Sequence, residues 1–161
     1  WDVSSVTKMS MAFYEAQRFD RDLAKWDVSR VETMDHMFSD ARSFNRRIWK
    51  WDVSSVTTMA DMFASATLFN GDISKWDVSS VITMDYMFWQ ATAFEGLLSQ
   101  PLWTNSKASQ TEMFTGSAGS IWKKSYQAAF TSKLSLKRAI STSLKASCQG
   151  VCVSLRVCAR V

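Results

Sequence analysis

The chain has 161 residues, 47% of them hydrophobic and 21% charged, with a formal net charge of +4. That balance suits one soluble domain and excludes a collagen, a disulfide-dense mini-protein and a mainly disordered chain. No apolar run approaches the roughly 18 to 20 residues that would cross a bilayer.

The chain opens on Trp1 with no initiator methionine, which predicts a fragment or a processed product. Trp1, Trp26, Trp51 and Trp76 recur every 25 residues, each within W-D-V-S. Val6, Met9, Phe13, Ala16 and Phe19 each return at the same interval, as Val31, Met34, Phe38, Ala41 and Phe44 do. Residues 1–100 are therefore four copies of one unit, and a repeat at this period cannot bury its apolar face alone.

Within a unit the predicted order is a short strand, then a helix. Leu23, Trp26 and Val28, with Ile48, Trp51, Val53 and Ile73, Trp76, Val78, have the L-x-x-L-x-L spacing of a leucine-rich-repeat strand. Val56, Met59, Met62, Phe63 and Ala66 then recur at three and four, the mark of an apolar helical face. Ser29 with Glu32 forms a predicted capping box, and Ser4, Ser54 and Ser79 are simple caps. The expected fold class is α/β: a leucine-rich-repeat-like, right-handed solenoid with one short parallel strand and one helix per coil, and a non-repeat C-terminal tail.

The predicted core comprises Trp26, Val28, Met34, Phe38, Trp51, Val53, Met59, Met62, Phe63, Phe69, Trp76, Val78, Met84, Met87 and Phe88. Methionine suits the irregular gaps between coils. The four repeat indoles are expected to lie atop one another inside the stack.

On the exposed strand face, Asp2, Asp27, Asp52 and Asp77 would stack at about 4.8 Å and repel by roughly 1 kcal/mol per pair in water. Lys25, Lys50 and Lys75 precede the last three by two residues, so a mixed Lys/Asp stripe is the expected compensation, with a bound cation or basic ligand as the sharper alternative. Trp49 breaks the pattern of Ala24 and Ser74 and should face outward beside Lys50 as a contact anchor. The ligand-binding candidates are thus Lys25, Asp27, Trp49, Lys50, Asp52, Lys75 and Asp77. Arg18, Arg21, Arg42, Arg46 and Arg47 gather on loops and are read as solvated. Asn70-Gly71-Asp72 with Ser74 lacks the closing Glu of a calcium loop and reads as a turn, with Asn45 and Asn70 in a side-chain ladder.

Pro101 interrupts the next coil and cannot donate to an interior ladder, so the stack is expected to end near it. Leu97, Leu102, Met113 and Phe114 form a degenerate fifth repeat or cap over 101–119, with one extra residue. Residues 1–100 carry ten Lys/Arg against fourteen Asp/Glu, and 101–161 nine against one. The basic tail, 120–161, has helical spacing at Trp122, Tyr126, Ala129, Phe130 and Lys133 and alternation from Val151 to Val161. It is read as a weakly ordered extension, against a membrane-binding amphipathic helix or sequence past a natural boundary.

Cys148, Cys152 and Cys158 cannot all pair and lack zinc-site spacing, and His36 reads as a solvated residue on an exposed helical position. No phosphate loop, nucleophile elbow or H-E-x-x-H is present, so neither an enzyme nor a cofactor or metal is expected.

The unit W-D-V-S-S-V-T-x-M-x-x-M-F-x-x-A-x-x-F-N-x-D-I-S-K resembles the repeat of the BspA-like leucine-rich-repeat surface proteins, in the branch abundant as mycoplasma surface lipoproteins. The resemblance covers 1–100. It departs at Met11-Ala12, at Arg46-Arg47 in place of Gly71-Asp72, and at Glu95-Gly96-Leu97-Leu98. It implies an extracellular or cell-surface module used for adhesion or binding, without catalysis; protein or glycan ligands are expected at the strand face, and nucleic acid is not, because the repeat body is net acidic. The alternative from the residues is an intracellular scaffold whose basic tail docks on anionic membrane or nucleic acid.

Overall fold

A computed structural model describes residues 1–122, which fall in one compact unit, Trp1–Lys123. The expectations for the tail helix, the final alternating stretch and the three cysteines lie outside the described residues. Coils 1 to 4 are residues 1–25, 26–50, 51–75 and 76–100, and coil 5 begins at Pro101.

Successive coils are joined by parallel bridges, Lys8 to Thr33, Thr33 to Thr58, Thr58 to Thr83 and Thr83 to Ser109. Around each bridge every second amide crosses to the next coil. The N–H groups of Met9, Met11, Phe13 and Glu15 donate to the carbonyls of Thr33, Asp35, Met37 and Ser39 at 2.8–2.9 Å. The amides between them close turns within the coil, Ala12 to Met9, Tyr14 to Met11 and Ala16 to Phe13. This division satisfies the backbone donors of a buried segment without helix or extended strand.

The predicted helix of each unit is absent among the described residues, and this is the main correction to the local reading. In its place run consecutive turns, with Met11, Glu15, His36, Asp40, Asp61, Ser65, Tyr86 and Gln90 at φ between 53° and 59°. Three turns of three to four residues place apolar side chains at the same intervals as a helix would, so the periodicity could not separate the two. Nor is the Trp segment a strand: the bridged residues lie in what was read as helix. In the Trp segment the coils are tied by side chains, because Trp51 Nε1 donates to the Leu23 carbonyl at 3.1 Å and Trp76 Nε1 to that of Ile48 at 3.2 Å. That bond is a physical reason for tryptophan where a leucine would only fill space.

The core lies inside the coils. Val28, Met34, Phe38, Trp51, Val53, Met59, Met62, Phe63, Phe69, Trp76, Val78, Met84, Met87 and Phe88 are all buried. Phenylalanines stack in two columns. Phe38, Phe63, Phe88 and Phe114 stand 5.6 Å apart, and each of the first three lies 3.9–4.0 Å from its partner in the column of Phe44, Phe69 and Phe94. The indole column is only partly dry. Trp51 and Trp76 stack at 6.4 Å inside, whereas Trp26 is half-buried and Trp1 is 98% exposed.

Pro101 does not end the stack. It opens a one-turn helix, α1 (Pro101–Thr104), at the position where a missing amide costs nothing. The ladder then resumes one residue out of phase, with Met84, Tyr86, Phe88 and Gln90 donating to Ser109, Thr111, Met113 and Thr115. Beside it β1 (Leu97–Leu98) pairs in parallel with β2 (Ser120–Ile121). Gly119 is tightly placed, since a Cβ there would lie 2.5 Å from the Phe94 ring.

Candidate functional site

The residues singled out as ligand contacts sit at the junctions where one coil passes into the next, from Lys25 at the end of coil 1 to Asp77 at the start of coil 4. Lys25, Asp27, Lys50, Asp52 and Lys75 are exposed and Asp77 is half-buried. Trp49 is 44% exposed, and Lys50 Nζ lies 4.9 Å from its ring centroid, within cation–π range.

The aspartates are held by their own turns. Ser29 donates to Asp27 Oδ1 from both N–H (3.1 Å) and Oγ (2.7 Å), and Ser54 does so to Asp52 at 3.1 and 2.6 Å. Asp2 is held by Ser4 in the same way, and the Ser79 amide donates to Asp77. The expected roles are therefore reversed: aspartate is the acceptor that shapes the turn, and serine is the donor rather than a helix cap. The Ser29 hydroxyl, then its amide, holds Asp27 below the usual carboxylate range, and the Ser4 amide leads for Asp2. Among the described residues the ion pairs are Arg42–Asp40 and Arg46–Asp20, with His36 in contact with Asp61. None links the lysine row to the aspartates, so the expected Lys/Asp stripe gives way to local hydrogen bonds.

The loop row forms its own ladder. The Asn70 amide donates to Asn45 Oδ1 at 3.0 Å and the Glu95 amide to Asn70 Oδ1 at 3.1 Å. Arg46 is spent on Asp20 and Arg42 on Asp40. Asp72 closes a turn onto the Ser74 amide. No group of three metal-ligating side chains occurs among the described residues. The outer side of coil 1 holds an apolar cleft of about 220 Å³, lined by Trp1, Phe13, Phe19, Leu23 and Trp26.

A second face was missed by reading the sequence. Residues in left-handed turns point outward in columns, and one column contains Met11, His36, Asp61 and Tyr86. His36 is half-buried rather than freely solvated; it meets the Tyr14 ring edge-on at 6.2 Å, and its Nε2 lies 3.8 Å from Asp61 Oδ2. Burial pushes the Asp61 carboxyl up, His36 opposes this, and Asp35 and Asp85 add to it. Asp35 accepts from Thr58 Oγ1 at 2.6 Å, and Asp85 from Ser109 Oγ at 2.6 Å, so both are anchored beside it. The members of this face come from four different coils. Only the 25-residue register, written as columns, could have grouped them.

No curated protein and no solved structure matches the chain. Residues 1–50 and 23–127 match the family described as Mycoplasma protein of unknown function, DUF285, and a match over most of the chain, on the repeats that build these columns, makes the chain a member of that family.

Proposed function

We propose that the chain is a non-catalytic recognition module of a cell-surface protein, a leucine-rich-repeat-like solenoid of the BspA-like kind. It binds protein or glycan ligands through the face carrying Lys25, Trp49, Lys50 and Lys75. The observation that carries this reading is Trp49, an indole left 44% exposed next to an ordered row of cations. Exposed aromatic side chains in such settings are disproportionately contact anchors. The backbone beside it closes a local turn, the Trp51 amide donating to the Ile48 carbonyl, so the outward side chains are what a ligand meets.

The test is a glycan array and a panel of purified surface proteins probed with the full chain and with a Trp49→Ala/Lys50→Ala double variant. Ligands retained by the wild type and lost by at least tenfold in the variant support the reading. Undiminished binding by the variant rejects it. Binding that is salt-sensitive and disappears on deletion of residues 123–161 favours the basic tail as the docking element instead.

A further inference from the structure

The columns beginning at Met11 and Tyr14 enclose a trough on a different face from Trp49. In the second column Tyr14 and Trp89 are exposed, at 44% and 38%, whereas Ser39 and Ala64 between them are small and buried at 7% and 5%. Tyr86 stands beside Trp89 at 37% exposure. The floor is thus Ser39 and Ala64, and the aromatic walls are three coil spacings apart, about 14 Å at the usual strand separation. Tyr86 and Trp89, exposed three residues apart in one coil, are the aromatic surface a partner would meet, with Tyr14 at the far end of the face.

Charge decides what fits. The trough is bordered by Glu15, Asp35, Asp40, Asp61 and Asp85, while the cationic groups near it among the described residues are Arg42, already paired with Asp40, His36, and Lys8, which bridges to Thr33. We infer that this trough docks a lysine- or arginine-bearing segment of a partner polypeptide, with the cationic head at Asp61 and its stem along the rings of Tyr86 and Trp89. A cation there meets both a carboxylate and ring faces, two attractions that add in a partly desolvated site. Burial raises the Asp61 carboxyl, and the charge of a docked cation would offset that by attraction, as His36 already does in part. A neutral oligosaccharide would stack on the same rings but gain no charge attraction from the acidic border.

The experiment is fluorescence anisotropy of the full chain with a short labelled Gly-Arg-Lys peptide. A Gly-Ser peptide of equal length and a neutral chito-oligosaccharide serve as comparison probes. The basic peptide should bind and the other two should not. Trp89→Ala and Asp61→Asn should each weaken binding about tenfold, as expected for a lost cation–π contact or charge pair near 1.4 kcal/mol. Asp52→Asn removes the same charge from the other face and should change binding less than twofold, as should Trp49→Ala. Trp89 is exposed, so its variant keeps the fold even if Asp61→Asn disturbs it. The inference is overturned if Asp52→Asn weakens binding as much as Asp61→Asn, if Trp89→Ala has no effect, or if the oligosaccharide binds in place of the peptide. The Trp89 and Asp61 outcomes do not depend on the Trp49 face, on which Asp52→Asn and Trp49→Ala report separately.

Discussion

Two tryptophans two residues apart do opposite work. Trp51 is 4% exposed and donates through Nε1 to the Leu23 carbonyl, whereas Trp49 bonds no carbonyl among the described residues and looks outward. Trp51→Phe removes one hydrogen bond, worth about 0.5–1.5 kcal/mol, and part of a buried ring. A loss of about 1–3 kcal/mol is therefore expected in urea unfolding, and Trp51→Ala should cost about 3–5 kcal/mol. Trp49→Phe should stay within about 0.5 kcal/mol, the range of ordinary surface changes. Equal effects at the two sites would contradict the indole bond as the tie between coils. Trp49 was legible in the sequence because it disrupts a column otherwise filled by Ala24 and Ser74. Trp89 breaks the column of Ser39 and Ala64 in the same way and could have been found by the same test, whereas Tyr14 and Tyr86 stand in different columns and share a face only when the coils are stacked.

At the scale of the element, the turns that replace the helix rest on residues in the left-handed region, where a side chain costs roughly 1–2 kcal/mol. The column Glu15, Asp40, Ser65 and Gln90 illustrates the cost, and Gly116 continues it at φ 79° in coil 5. Ser65→Gly should therefore leave stability unchanged or raise it by up to about 1 kcal/mol, since relief of strain exceeds the added freedom of the unfolded chain. Ser65→Val should destabilise. Thermal unfolding of the pair checks this, and a reversed order would mean the segment is not held at positive φ. The sequence disclosed the inward rows because burial depends on spacing, which turns and helix share. It concealed the backbone because Met11, His36 and Tyr86 are not residues that announce a left-handed turn.

For the molecule as a whole, stability accumulates coil by coil through nearest-neighbour ties, as in other repeat arrays. Phe63 in coil 3 is fully buried with rings stacked on both sides, at Phe38 and Phe88. Phe13 in coil 1 is half-buried and, beyond Phe19 of its own coil, is stacked only against Phe38 of coil 2. Native-state hydrogen exchange should show the Phe63 amide protected at least tenfold more than that of Phe13, because the outer coil opens without the rest. Equal protection would mean that all the coils open as one unit.

Every joint between coils 1 and 4 is built from the same bonds at the same 25-residue offset, and only the step into coil 5 departs from it. A coil is therefore an interchangeable part. A gene that gained or lost one whole unit by unequal recombination would encode a longer or shorter body with an intact interior, while shuffling which outward-facing residues stand side by side. The surface of such a protein can be rearranged by inheritance without the scaffold being reinvented.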